Sequence, residues 1–175
     1  MKTVYISGGQ RSGKSRFAME SAKKLTPRPL YLATARVLDE EFKQRVERHR
    51  RDRDGSWTTI EIDKHISGLK LSAFSDTGHE KVLVLDCVTL WLTNFLLDNN
   101  DDAEKTLKDV KKEWNSFAAL PFTRFVISNE IGMGLVSERE LGRKFTDLQG
   151  FVNQYIANSA DEAYFMVSGQ ALRIK

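Results

Sequence analysis

The sequence predicts an α/β fold: a mostly parallel sheet with helices on both faces and an antiparallel strand at its C-terminal end. Three observations predict it. Short β-branched, aliphatic or aromatic runs alternate with stretches of helical length along the chain, the pattern of a parallel sheet covered on both sides. A glycine-rich octapeptide at residues 8–15 joins the first such run to the first helical stretch. The last two runs are separated only by Ser168-Gly169-Gln170. That connection is too short for a parallel crossover, so it makes a hairpin.

The elements follow in order. Thr3-Val4-Tyr5-Ile6-Ser7 is a buried strand and residues 16–25 a helix. Pro29-Leu30-Tyr31-Leu32-Ala33 is the second strand. Residues 39–53 form a densely charged helix, and residues 57–62 alternate as a strand. Residues 66–74 are weakly helical. Val82-Leu83-Val84-Leu85 is a buried strand, followed by helices over residues 88–97 and 103–120, the first very apolar. Residues 124–128 form another buried strand. Residues 138–158 form a long helix that should break near Gly150, because glycine weakens a helix interior. Strands at residues 163–167 and 171–174 close the chain. One domain over residues 1–175 is the expected organisation, with no linker, repeat or low-complexity segment.

Composition narrows the function. Hydrophobic residues make up 41% and charged residues 29%, ordinary for a globular chain. A net charge of +3, from 27 basic and 24 acidic side chains, is too mild to argue for a nucleic-acid partner. The single cysteine, Cys87, excludes an internal disulfide and fits a reducing compartment. Met1-Lys2 leads straight into the first strand with no signal peptide, so a cytoplasmic location is expected. The most apolar stretch, residues 82–97, is interrupted by Asp86, Thr89, Thr93 and Asn94, so no membrane span is expected.

Gly8-Gly9-Gln10-Arg11-Ser12-Gly13-Lys14-Ser15 fits G-x-x-x-x-G-K-[ST] at every fixed position, between a strand and a helix as the motif requires. Gly8 and Gly13 let the backbone bend close to a phosphate chain, and successive N–H groups at a helix start point at the anion. Lys14 meets the β- and γ-phosphates, and Ser15 offers a hydroxyl to Mg²⁺. Asp86 ends an apolar strand, where such proteins place a metal-holding aspartate; alone, an aspartate there is more often a helix cap or turn residue, and the glycine loop favours the metal reading.

In residues 39–53, Phe42, Val46, His49 and Arg53 share a helical face beside Arg45, Arg48, Arg50 and Arg51. Guanidinium groups suit phosphate recognition. From spacing alone, a solvated basic helix with a histidine packed at its edge explains the pattern better. Asn129-Glu130-Ile131-Gly132-Met133-Gly134, directly after a buried strand, is either a functional loop or an ordinary turn. Arg143, Asp147, Asn153 and Gln154 read as surface residues by periodicity.

These segments carry a resemblance. The phosphate loop, Tyr31-Leu32-Ala33-Thr34-Ala35, His49-Arg50 with Arg53 and Trp57, Asp86-Cys87-Val88-Thr89-Leu90-Trp91-Leu92-Thr93-Asn94, the Asn129–Gly134 loop, and Gly142-Arg143-Lys144-Phe145-Thr146-Asp147 with Gly150, Asn153 and Gln154 occur in that order. The chain closely resembles, over nearly its whole length, the bifunctional adenosylcobinamide kinase/adenosylcobinamide-phosphate guanylyltransferase family of cobalamin biosynthesis. Ser137 stands where such families usually carry proline, and Val88 where they usually carry leucine.

The resemblance implies a RecA-like P-loop NTPase domain that assembles as a homotrimer. It implies phosphorylation of the aminopropanol hydroxyl of adenosylcobinamide with ATP or GTP, then transfer of GMP from GTP to adenosylcobinamide phosphate. His49 matches the family's guanylylated histidine. Catalytic roles are thereby implied for His49 and Lys14. Nucleotide binding is implied for Gly8, Gly9, Gln10, Arg11, Ser12, Gly13, Lys14, Ser15, Thr34, Arg50, Arg53, Glu61, Asp86 and Glu130, and Mg²⁺ ligation for Ser15 and Asp86. A single-activity kinase, a nucleotide-switched binding module and an RNA-binding protein are the alternatives. The run from Asp86 to Asn94 argues against all three.

Overall fold

The computed structural model describes residues 1–36, 53–74 and 79–175. The helix expected over residues 39–53 lies outside them, apart from Arg53.

Seven strands form one sheet: β1 Thr3–Gly8, β2 Leu30–Ala33, β3 Thr58–Glu61, β4 Val82–Asp86, β5 Thr123–Ile127, β6 Glu162–Val167 and β7 Gln170–Arg173. Their order is β3-β2-β4-β5-β1-β6-β7, parallel except for the antiparallel β6–β7 pair. β1 therefore lies inside the sheet, with β5 between it and β4. Val167 opposes Gln170, so the hairpin turn is the two residues Ser168 and Gly169, both at positive φ (49° and 82°), as a tight primed turn requires.

The period of two within each strand divides the core. Val4, Ile6, Val82, Val84, Phe125 and Ile127 face Ala18 and Ala22 of α1 (Lys14–Lys23). Tyr5, Leu30, Leu32, Leu83, Leu85 and Val126 face the opposite layer, built from α2 (Val88–Asp98), α3 (Ala103–Ala118) and α4 (Glu140–Ser159). Asp102 caps α3, its side chain accepting a hydrogen bond from the Lys105 N–H at 2.9 Å. Thr106, Val110, Trp114 and Phe117 are the stripe that α3 buries. Among the described residues no helix is long and apolar enough to cross a membrane.

Two expectations are corrected. α4 runs without a break through Gly150. One glycine costs a helix about 1 kcal/mol, and burial of Leu148, Val152 and Ile156 on the same face outweighs it. Residues 66–74 form two single 3₁₀ turns, Ile66–Gly68 and Leu71–Ala73, rather than a helix. Leu69 and Lys70 are extended between the turns, so the first turn does not propagate into the second although Ile66, Leu69 and Phe74 are all buried.

Trp114 is 1% exposed and its indole N–H donates to Ser159 Oγ at 3.1 Å. Trp114→Ala opens a cavity under the sheet and should cost about 3–5 kcal/mol. The check is a drop in the urea midpoint at unchanged slope.

Candidate active site

The parallel order brings the carboxyl ends of β1 to β6 to one edge, where α/β sheets bind ligands. The glycine loop crosses this edge from β1 to α1. Gly8 has φ 147°, and a Cβ there would lie 2.5 Å from the Met166 carbonyl oxygen. Gly13 has φ 97°, with a Cβ position 3.2 Å from Gly169 Cα. Only glycine fits either place. The β6–β7 turn is therefore a buttress for the loop, and Gly169 N–H donates to the Ser12 carbonyl at 3.0 Å. Gly9, Gln10 and Arg11 are exposed at the crest. Lys14 is buried and its ammonium group donates to the carbonyls of Gly8 at 3.0 Å and Gly9 at 2.6 Å.

Asp86, at the end of β4, faces α1. Its Oδ2 accepts hydrogen bonds from Ser15 Oγ at 2.9 Å and from the Tyr31 hydroxyl at 2.5 Å. Burial, and next the Asp86 charge, hold the Tyr31 phenol well above its ordinary pKa, so it stays a donor. The Arg53 guanidinium lies 3.9 Å from the Tyr31 ring centroid, a cation–π contact, and Trp57 meets the same ring edge-on at 6.0 Å. Thr34 is fully buried. Its hydroxyl donates to the Cys87 carbonyl at 2.8 Å and accepts from the Cys87 N–H at 2.9 Å, fastening β2 to the turn after β4. Burial, with the Asp86 charge second, pushes the Cys87 thiol up to about 12, which keeps it protonated and inert as a nucleophile.

Ser15 and Asp86 supply a hydroxyl and a carboxylate, hard oxygen donors that suit Mg²⁺. Among the described residues no three or more His, Cys, Asp or Glu gather to cage a metal. A divalent ion here would complete its shell with phosphate oxygens and water, as Mg²⁺ does at nucleotide sites.

The loop after β5 adjoins the phosphate loop. Glu130 N–H donates to the Gly8 carbonyl at 3.2 Å. Asn153 Nδ2 donates to Glu130 Oε1 and to the Asn129 carbonyl, both at 3.1 Å. Behind them, Ser128 Oγ donates to Asn153 Oδ1 at 2.6 Å, and Gln149 Nε2 donates to the same oxygen at 2.8 Å. Asn153 is thus buried, not a surface residue, whereas Arg143, Asp147 and Gln154 are exposed as periodicity indicated. Gln149 escaped the sequence reading. The available signal was its i, i+4 spacing to Asn153, on the face that carries Leu148, Val152 and Ile156.

The structure gathers residues 8–15, Thr34, Asp86 and Glu130 at this edge, with Arg53 on the β2 side. Glu61 stands exposed at the end of β3, the outermost strand. His49 and Arg50 lie outside the described residues. Tyr31 was read only as a strand residue, and its grip on Asp86 is new.

A glycine loop of this geometry on an inner parallel strand, facing an aspartate two strands away, defines a P-loop nucleotide-binding protein. Solved structures share the fold. The flagellar accessory protein FlaH from Methanocaldococcus jannaschii superposes with a TM-score of 0.51 at 15% identity, over 99% of this chain and 78% of that one. A prototypical ATPase from the type III secretion system of pathogenic bacteria gives 0.56 at 12% identity, over 94% of this chain and 50% of that one. Residues 4–174 match the family described as cobinamide kinase / cobinamide phosphate guanyltransferase, and the chain belongs to that family. The bifunctional adenosylcobalamin biosynthesis protein CobU of Escherichia coli K12 is 36% identical over 98% of this chain and 99% of its own length. Its namesake from Salmonella typhimurium LT2 is 34% identical over the same shares. CobP of Pseudomonas aeruginosa PAO1 is 35% identical over 97% and 95%.

Proposed function

We propose that a single triphosphate cradle serves both reactions of this bifunctional enzyme of adenosylcobalamin biosynthesis. The kinase reaction phosphorylates adenosylcobinamide with ATP or GTP. The guanyltransferase reaction moves GMP from GTP to the resulting phosphate, giving adenosylcobinamide-GDP and pyrophosphate. The observation that carries the proposal is the glycine loop with Lys14, set against the Ser15–Asp86 pair, in a chain matched to the family from end to end.

The loop amides and Lys14 hold the β- and γ-phosphates, Arg50, Arg53 and Glu61 complete the nucleotide surroundings, and Thr34 supports them from behind through the Cys87 backbone. Ser15 and Asp86 would hold Mg²⁺, which when bound supplies positive charge to the phosphate oxygens. Tyr31 orients the Asp86 carboxylate toward Ser15. In guanylyl transfer, neutral His49 attacks the α-phosphorus and pyrophosphate leaves with the loop donors around it. The cobinamide phosphate then takes GMP from the histidine, so one displacement becomes two. Arg48 and Arg50, which flank His49 in the sequence, are suited to stabilise charge on the α-phosphate. The chain works as one domain, in a cytoplasmic homotrimer, which light scattering on the purified protein checks.

Asp86→Asn keeps the shape of the side chain and removes its charge. The Mg²⁺ concentration for half-maximal rate should rise about tenfold or more in both reactions. An unchanged titration curve would return Asp86 to a capping role. The proposal itself is tested by supplying adenosylcobinamide, ATP, GTP and Mg²⁺ and identifying products by mass spectrometry. Adenosylcobinamide-GDP and pyrophosphate are expected. Adenosylcobinamide phosphate alone would favour the single-activity kinase.

A further inference from the structure

We infer that Glu130 is the general base of the kinase step, a role that rests on the kinase reading above and adds a named proton acceptor to it. Glu130 N–H and Lys14 Nζ share one acceptor, the Gly8 carbonyl, at 3.2 Å and 3.0 Å. The carboxylate-bearing residue is thereby set beside the lysine that meets the γ-phosphate. β5, which leads into Glu130, is hydrogen-bonded on one side to β1, carrying the phosphate loop, and on the other to β4, carrying Asp86. A residue following β5 stands between the two halves of the cradle.

The carboxylate is held, not loose. Asn153 Nδ2 engages Oε1 at 3.1 Å, and Asn153 is itself fixed by Ser128 and Gln149, all three buried. Asn153 on Oε1, with the Tyr5 hydroxyl also beside the carboxylate, orients the group and leaves carboxylate lone pairs for a substrate hydroxyl. Glu130 is half-buried, so it is not sealed in the core.

The other described carboxylates at this edge are committed or distant. Asp86 receives Ser15 and Tyr31. Asp63 accepts from Arg36 Nε at 2.6 Å. Glu61 ends β3, three strands from β5 and so roughly 14 Å away at ordinary strand spacing. Glu130 alone of these combines proximity to Lys14 with a fixed orientation.

The step balances without any further reactant. The substrate hydroxyl oxygen forms a bond to the γ-phosphorus of the nucleoside triphosphate, and the bond from that phosphorus to the β,γ-bridging oxygen breaks. The electron pair leaves with the nucleoside diphosphate. The hydroxyl proton passes to the Glu130 carboxylate and then to solvent. Guanylylation differs, because a neutral imidazole attacks with its lone pair and no carboxylate has to take a proton first.

The test uses the whole chain with adenosylcobinamide and ATP for one rate and GTP alone for the other. Glu130→Gln should lower kinase kcat about 10²-fold or more while nucleotide KM changes little. Covalent GMP loading should fall far less, so the ratio of the two rates shifts by about 10². Glu130→Asp should recover part of the kinase rate, which an isosteric amide cannot. Kinase turnover of Glu130→Gln within about threefold of native would overturn the assignment. So would an equal loss in both reactions, which would make Glu130 part of the shared cradle. Circular dichroism and the urea midpoint of the same preparation control for folding. Absence of loading in the native enzyme would count against the two-reaction proposal, while the kinase arm still decides Glu130.

Discussion

Lys14→Ala should abolish both transfers and leave the fold in place. The side chain lies inside the glycine loop with its ammonium group on the Gly8 and Gly9 carbonyls, at the spot where a triphosphate must sit. If a single cradle serves both reactions, losing its only lysine removes charge from the γ-phosphate in one and from the departing pyrophosphate in the other. Loss of one such donor costs about 10²–10³ in rate, and a loss of substrate positioning multiplies it. The hydrophobic layers on either face of the sheet do not include this side chain, so circular dichroism and the urea midpoint should stay near native. Kinase turnover at the native rate would show that the two reactions do not share the loop.

His49→Ala should stop covalent GMP attachment and guanylyl transfer and leave measurable kinase activity. In the helix expected over residues 39–53, His49 would share a face with Phe42 and Val46, and the family resemblance implies the nucleophile's role for it. Phosphoryl transfer needs mainly positioning and charge stabilisation, which residues 8–15 and Asp86 would provide without a histidine. Removal of a covalent nucleophile leaves no second path through the same intermediate, so guanylyl transfer should fall by several orders of magnitude. Loss of both activities together would make His49 a structural residue of the cleft. Together with Glu130→Gln, this variant should divide the enzyme in two directions: one substitution should stop the guanyltransferase, the other should slow the kinase.

Much of this was legible in the chain. Seven strands were placed, most as apolar runs and residues 57–62 by alternation, and the phosphate loop by its motif between a strand and a helix. Strand order was not legible. It depends on pairing between segments as distant as Lys2 and Arg124, joined at 2.8 Å, which no local pattern encodes. Gly150 was weighted by intrinsic propensity, and tertiary burial of its neighbours prevailed.

The site was legible in its reactive groups and not in their supports. Lys14, Ser15 and Asp86 announce themselves by motif. Tyr31 reads as one more strand aromatic until its hydroxyl is seen on Asp86 Oδ2. Asn153 reads as a surface residue by periodicity and Gln149 escapes notice, yet both line the buried face of α4 and hold the Asn129–Glu130 turn. Polar residues on a buried stripe contradict simple amphipathic patterning, and here they mark the face that supports the catalytic edge. Arg53 was expected among phosphate-binding arginines. Its stacking on Tyr31 ties the end of the basic segment to the strand that orients Asp86.

The central claim is that GMP passes through His49 on its way from GTP to the cobinamide phosphate. Incubation with α-labelled GTP and Mg²⁺, followed by acid and base treatment and peptide mapping, tests it directly. A phosphoramidate is expected: label lost in acid, retained in base, and carried by the peptide that contains His49. Label that survives acid, or that maps outside residues 39–53, would contradict the account.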